Sequence, residues 1–243
     1  MRTRTTLKTL AIAAALPLAL TACSSGKADS GGKTAEKGAA AKPKDPNAGI
    51  ATGAQLKKSL APASYFAAGF AVDPSVTRDT GDTYQLPKTD TATKPDCSGF
   101  GGTGWIGLTG TEGVSFAQTS YVNKTTSAEL AQEIDAYRGT TSTDVMAALK
   151  KVVAACPSYE DKDTNSKVRI TGTAGPTALG DDAYTITLTS DAWETGTTLI
   201  ATRVGTNIVS VLSTDGAHNG ASSAKKLTTQ ITNSLKNLPS SAS

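Results

Sequence analysis

Apolar residues are distributed along this 243-residue chain in three regimes. From Leu10 to Leu20 they run almost without interruption, and from Ser24 to Gly49 there is no aromatic or large aliphatic side chain. From Ile50 onward they recur at regular spacings. Periodic apolar positions are those that a folded chain can line up against a partner surface, so the third regime is where a domain is expected. Its length, about 190 residues, suffices for one domain with a core of its own.

Within that domain, Thr52 with Gln55 three positions on forms a capping-box pattern. Leu56 and Leu60 share one face of the short helix that follows, and Pro62 limits or restarts it. Turn residues crowd positions 73–96, which are expected to be mostly irregular with at best a short strand. After the glycine-rich Ser98–Gly104, the runs Trp105–Leu108 and Val114–Val122 flank a turn at Thr109–Gly113 and read as an antiparallel hairpin. Thr126 with Glu129 repeats the capping pattern, and Leu130, Ile134 and Tyr137 follow at i, i+4, i+7 before Gly139, which predicts a helix. A second helix is predicted from Ser142 or Thr143, with Val145, Leu149, Val152 and Cys156 on one stripe and Pro157 as its stop.

Alternation then takes over. Val168–Thr171, Tyr184–Thr189, Leu199–Val204 and Ile208–Ser213 have period two with threonine on the off-beat and read as half-buried strands. Short turns, Asp191–Gly196 and Gly205-Thr206-Asn207, make these neighbours antiparallel. A last helix, Ser222–Leu238, aligns Leu227, Ile231, Leu235 and Leu238, with Ser222 or Ser223 as its N-cap and Pro239 beyond. The expected fold is α+β: an antiparallel sheet with helices packed on it and one disulfide.

Charge changes the picture once it is apportioned. The formal net charge is +3, and Arg2, Arg4 and Lys8 ahead of the apolar run account for that amount. The remainder is about neutral, with five lysines against Asp29, Glu36 and Asp45 between residues 24 and 49 and a slight acidic excess beyond. Nucleic-acid binding, which needs a basic patch, is not expected.

Basic residues, an apolar segment too short to span a bilayer and then Leu20-Thr21-Ala22-Cys23 make up the pattern of a bacterial lipoprotein signal. Residues 1–22 would be removed, Cys23 would carry the lipid, and residues 23–49 would serve as a disordered Ser/Gly/Ala/Lys/Pro linker spanning roughly 25 to 30 Å. The expected location is the extracytoplasmic face of the cell membrane, with residues 50–243 as the exported domain. Lipidation of Cys23 leaves Cys97 and Cys156, 59 positions apart, to form one disulfide in an oxidising compartment, two buried free thiols being the alternative.

Candidate chemistry is thin. Gly99-x-Gly101-x-x-Gly104 has the letters of a dinucleotide fingerprint but runs into an expected strand, where a helix N-terminus is required. Asp161-x-Asp163-x-Asn165 opens like a calcium loop, yet Ser166 and Gly172 stand where the turn glycine and the bidentate glutamate belong, and it reads as a solvated helix-to-strand turn. Ser222-x-x-Lys225 lacks the partner elements of penicillin-recognising enzymes. His218, the single histidine, lies in a glycine-rich loop with no nucleophile elbow to serve. No cofactor and no metal site is expected. In a chain only 5% aromatic, Trp105 and Trp193 are candidates for lining a ligand cleft, with core packing as the other reading. Tyr121 and Arg203 complete the cleft candidates.

Cys97, the helix ending Val152-Val-Ala-Ala-Cys156, Leu179-Gly180-Asp181-Asp182-Ala183 and Arg203-Val204-Gly205-Thr206-Asn207-Ile208-Val209 carry a resemblance over about Ile50 to Leu238. The region resembles the extracellular sensor domain of mycobacterial serine/threonine kinases and of stand-alone actinobacterial lipoproteins. That resemblance implies a helix-and-sheet domain with a cleft for a small ligand and no enzymatic activity. One disulfide is expected here where the kinase-linked pattern has two. The expected function is therefore a membrane-tethered, non-enzymatic ligand-binding or sensing module. A cell-envelope protein-interaction or accessory protein is the alternative, and a hydrolase built on His218 comes third.

Overall fold

The computed structural model describes residues 44–86 and 94–238. The signal, Cys23, most of the expected linker and Pro239 lie outside them. Among the described residues, eight strands form one antiparallel sheet in the order β1-β2-β3-β8-β7-β6-β5-β4, accompanied by three α-helices and three 3₁₀ turns. Two meanders make up the sheet: β1 (Phe70–Asp79), β2 (Ser115–Asn123) and β3 (Glu129–Ala136), then β4 (Ser158–Asp161), β5 (Ser166–Ala174), β6 (Asp182–Thr189), β7 (Thr197–Val204) and β8 (Asn207–Ser213). Pairing of β3 with β8 joins them. The α+β class and the disulfide are as expected, but the sheet dominates more than helices packed on a sheet would suggest.

Helices cover parts of both faces. α1 (Gly53–Lys57) is closed by the capping box read from the sequence: Thr52 Oγ1 accepts from the Gln55 N–H, and the Thr52 N–H donates to Gln55 Oε1 at 2.8 Å. Together with α3 (Ala221–Lys236) it covers one face, where Leu56, Ile134, Val209, Val211, Leu227 and Ile231 meet. α2 (Thr141–Ala155) covers the other through Val145, Met146, Leu149 and Val153, packed on Ile186, Leu188, Leu199 and Ile208. Each such buried aliphatic side chain contributes roughly 1.5–3 kcal/mol. No helix of the described residues is long and apolar enough to cross a membrane.

The helix expected after Thr126 is instead β3. Glu129-Leu-Ala-Gln-Glu-Ile-Asp-Ala136 is composed of good helix formers, but β2 bonds one edge of the segment and β8 the other. Every residue from Leu130 to Tyr137 is buried. Cover on both faces erases the alternation that would mark a strand.

Three further departures have equally physical causes. Trp105–Thr109 is a 3₁₀ turn, not a strand, and adjacent Trp105 and Ile106 both enter the core beneath α2 at 1% and 4% exposure. β2 therefore pairs with β1 and β3. β1 runs ten residues where at best a short strand was expected; Pro74 is tolerated because β1 is an edge strand and its register shifts between Asp73 and Arg78. α3 starts at Ala221 after left-handed Gly220, which has no side chain to cap it; Ser222 and Ser223 fall within the first turn, where Ser223 Oγ donates to Asp215 Oδ2 at 2.8 Å.

Candidate functional site

Four connections converge at one end of the strands: β2–β3, β4–β5, β6–β7 and the loop from β8 to α3. Between them and the 3₁₀ turn Cys97–Gly101 lies a groove of about 870 Å³, lined by residues that include Ser98, Ser127, Tyr159, Asp161, Trp193, Thr195 and Asp215. That volume is within the range of small-ligand sites.

Side chains bind these loops to one another. Trp193 Nε1 donates to Asp161 Oδ2 at 3.2 Å, joining the β6–β7 loop to the end of β4. Ser166 Oγ and Ser190 Oγ share a hydrogen bond of 2.8 Å. The Gly196 N–H donates to Asn219 Oδ1 at 3.1 Å, adding the loop before α3. Among the described non-glycine residues, positive φ occurs only at Ser127, Asn165, His218 and Asn219, all within these loops. Backbone of that kind persists where surrounding contacts over-determine it, and it concentrates at ligand sites.

The disulfide fixes one wall. Cys97 and Cys156 are bonded with their Cα atoms 5.5 Å apart. Cys97 opens the turn that contributes Ser98 and Gly101, whereas Cys156 caps α2 and leads directly into β4 with Tyr159 and Asp161. A single covalent link thus spans two sides of the groove.

Electrostatically the groove is acidic, since Glu160, Asp161, Asp163 and Asp215 face Lys162 alone among its charged lining residues. Asp161 is held below the usual carboxylate range, foremost by the hydrogen bond from the Thr164 hydroxyl, with help from the Asp163 N–H and Trp193. Burial, assisted by the charge of Asp161, pushes the Tyr159 phenol up and keeps it neutral. An aromatic face beside acceptors suits a small uncharged or cationic molecule carrying hydrogen-bond donors.

Of the four sequence-derived cleft candidates, only Trp193 lines this groove. Trp105 is 1% exposed in the core. Tyr121 lies on β2, stacked on Phe66 with ring centroids 3.8 Å apart, beside a separate cavity of about 350 Å³. Arg203 lies near the end of β7 and donates to Asp181 Oδ2 at 3.1 Å and the Gly205 carbonyl at 3.2 Å.

The other sequence motifs resolve into local structure. Asp161-x-Asp163-x-Asn165 forms the β4–β5 hairpin turn, not a helix-to-strand turn, and its first carboxylate is engaged by Asp163, Thr164 and Trp193. Gly99 and Gly101 belong to a 3₁₀ turn, and Ser222, Lys225 and His218 are exposed. Asp161, Tyr159 and Asp215 were missed as groove residues because their convergence depends on loops remote in sequence; the clustered turn residues at 161–165 were the available signal. No protein-family model matches this chain, and a comparison with curated proteins finds no match.

Proposed function

We propose that this chain is a membrane-tethered extracytoplasmic lipoprotein whose folded domain binds a small molecule in the groove at Trp193 without transforming it. It would act as a binding or sensing module of the kind implied by its resemblance to actinobacterial sensor-domain lipoproteins. The groove carries this reading: about 870 Å³ bounded by four cross-linked loops, with an aromatic side chain fixed by a carboxylate. The lipoprotein pattern ending at Cys23 supports the tether, and the disulfide accords with an oxidising compartment.

Small polar metabolites, screened in pools against the purified chain by thermal shift and tryptophan fluorescence, test this function. A ligand present at a hundred times its Kd stabilises by about 2.7 kcal/mol, an increase of several degrees in melting temperature. Trp193→Phe should remove the fluorescence response and Trp193→Ala the stabilisation. A hit that stabilises Trp193→Ala as much as the wild type would place the ligand elsewhere.

A further inference from the structure

The odd-numbered face of β3 carries a second, unrelated cluster. Glu133 and Asp135 lie two residues apart on this central strand, only 8% and 6% exposed, and Tyr137 just beyond its end is 1% exposed. Register sets their neighbours: Glu133 stands opposite Gln118 on β2 and Ser210 on β8, and Asp135 opposite Phe116 and Ile208. Arg78 on β1 continues the row beyond Gln118.

Polar partners are at hand but engaged elsewhere. Arg78 Nε donates to Gln118 Oε1 at 3.1 Å, Gln118 Nε2 donates to Thr103 Oγ1 at 3.0 Å, and the Arg78 guanidinium lies 5.4 Å from the Phe116 ring centroid. Glu133 Oε2, Asp135 Oδ2, Tyr137 Oη and Ser210 Oγ are buried with no hydrogen-bond partner among the described residues. Gln132, on the opposite face of the same strand, shows the contrast. Its side chain accepts from the Ala61 N–H at 2.8 Å and donates to the Ala61 carbonyl at 3.0 Å. Leaving a buried polar group unpaired is costly, and a charged one more so. A cluster of such groups on one strand points to a role other than stability.

In front of them is a cavity of about 320 Å³, lined by Glu133, Asp135, Tyr137, Glu112, Phe116 and Arg78 among others. Its titratable groups come from three surroundings: Arg78 on β1, Glu112 in the loop before β2, and Glu133, Asp135 and Tyr137 on or beside β3. The facing β8 residues, Ser210 and Ile208, do not titrate. Burial first, then the charge of Asp135, raises the Glu133 carboxyl well above its ordinary value. Burial and Glu112 push Asp135 up to about 7, while Arg78 pulls both back. Tyr137 is kept neutral.

Among the described residues, three carboxyls against one guanidinium favour a positively charged guest. They are also dispersed: no three His, Cys, Asp or Glu of the described residues are placed to hold a metal ion. A compact ion is poorly matched, whereas an organic cation with N–H donors directed several ways can meet both carboxylates and the phenol oxygen.

We propose that this cavity binds a small organic cation bearing a protonated amine, held between Glu133 and Asp135 and against Tyr137 Oη. The site lies at the opposite end of the strands from the groove and stands independently of that reading. Binding at neutral pH draws a carboxyl proton into solution as the ion pair forms, so cation and proton compete.

Calorimetric titration of the purified full chain in detergent with n-butylammonium and with 1,4-diaminobutane, in two buffers of different ionisation enthalpy, tests the site. Saturable binding at pH 7.5 with net proton release is expected, weakened at least tenfold at pH 5. The double variant Glu133→Gln/Asp135→Asn, neutral and nearly isosteric, should lose amine binding while melting higher than the wild type at pH 7.5; Trp193→Ala should retain it. Should the double variant fail to fold, the wild type decides: its ¹³C-labelled Asp and Glu carboxyl signals for Glu133 and Asp135 must move on adding n-butylammonium. Static signals overturn the assignment. So do a response to potassium or calcium chloride with none to either amine, a response to glycerol alone, or unchanged amine binding in a folded double variant.

Discussion

Trp193 donates its indole N–H to Asp161 Oδ2 at 3.2 Å, so a residue of the β6–β7 loop is held by one at the end of β4, two strands away in the sheet. The other hydrogen-bond partners of Asp161 are local, so Asp161→Ala should leave the urea midpoint almost unchanged. The indole, however, loses its anchor. Trp193 emission should shift to the red, and affinity for any groove ligand should fall about tenfold. Unchanged emission would show that packing alone holds the ring.

Asp135 makes stability depend on pH in an unusual direction. Its carboxyl titrates at about 7 in the folded chain against 3.8 ordinarily, so the folded state binds the proton more tightly. The resulting stability is fully present below about pH 4 and is lost as pH rises through about 7, on the order of 4 kcal/mol. Glu133, also raised, acts with the same sign. Asp79 and Asp161, both held low, act with the opposite sign and only below the usual carboxylate range. Melting temperature should therefore fall between pH 5 and pH 8, and Asp135→Asn should remove much of that slope. A flat profile over this window would contradict the assignment.

Cys97 and Cys156 close a loop across 59 positions. Cys97→Ser/Cys156→Ser should lower unfolding free energy by about 4 kcal/mol on chain-entropy grounds, read as a lower urea midpoint. Because the bond spans two sides of the groove, ligand affinity should drop with it.

Gln132 bridges β3 to the chain after α1 through both backbone groups of Ala61. Gln132→Ala leaves a buried N–H and a buried carbonyl unpaired, each costing about 1–3 kcal/mol. Urea denaturation should show a loss within the sum of those costs, and a loss below 1 kcal/mol would mean that water replaces the side chain.

Cys23→Ser should release the protein from membranes or stall its processing, because the proposed tether depends on that thiol. Fractionation of cells expressing the variant reads this directly. Unchanged membrane partition would refute the lipid anchor.

Elements whose pattern is local were legible in the sequence. Thr52 and Gln55 cap α1 as their spacing implies, α2 and α3 bury the expected stripes apart from changes at Val152, Leu238 and the N-cap, and β6 keeps its alternation, whereas β7 and β8 are strands where expected but are buried on both faces over most of their length because helices cover both sides of the sheet there. The disulfide followed from counting cysteines. Trp193 was legible as a residue but not as part of a site, because Asp161, Tyr159 and Asp215 meet it only through loops separated by tens of residues.

The chain alone therefore determined the α+β class, three helices, the later strands and the Cys97–Cys156 pair, since capping, period and cysteine number act within a few residues or by simple elimination. Tertiary structure decided the state of 129–136, which has helical composition but completes its hydrogen bonds with β2 and with β8, more than seventy residues further along the chain. That long-range pairing also takes Glu133 and Asp135 out of water, where a helix could have left them exposed. Local propensity amounts to tenths of a kcal/mol per residue, and two rows of strand hydrogen bonds with burial on both faces outweigh it.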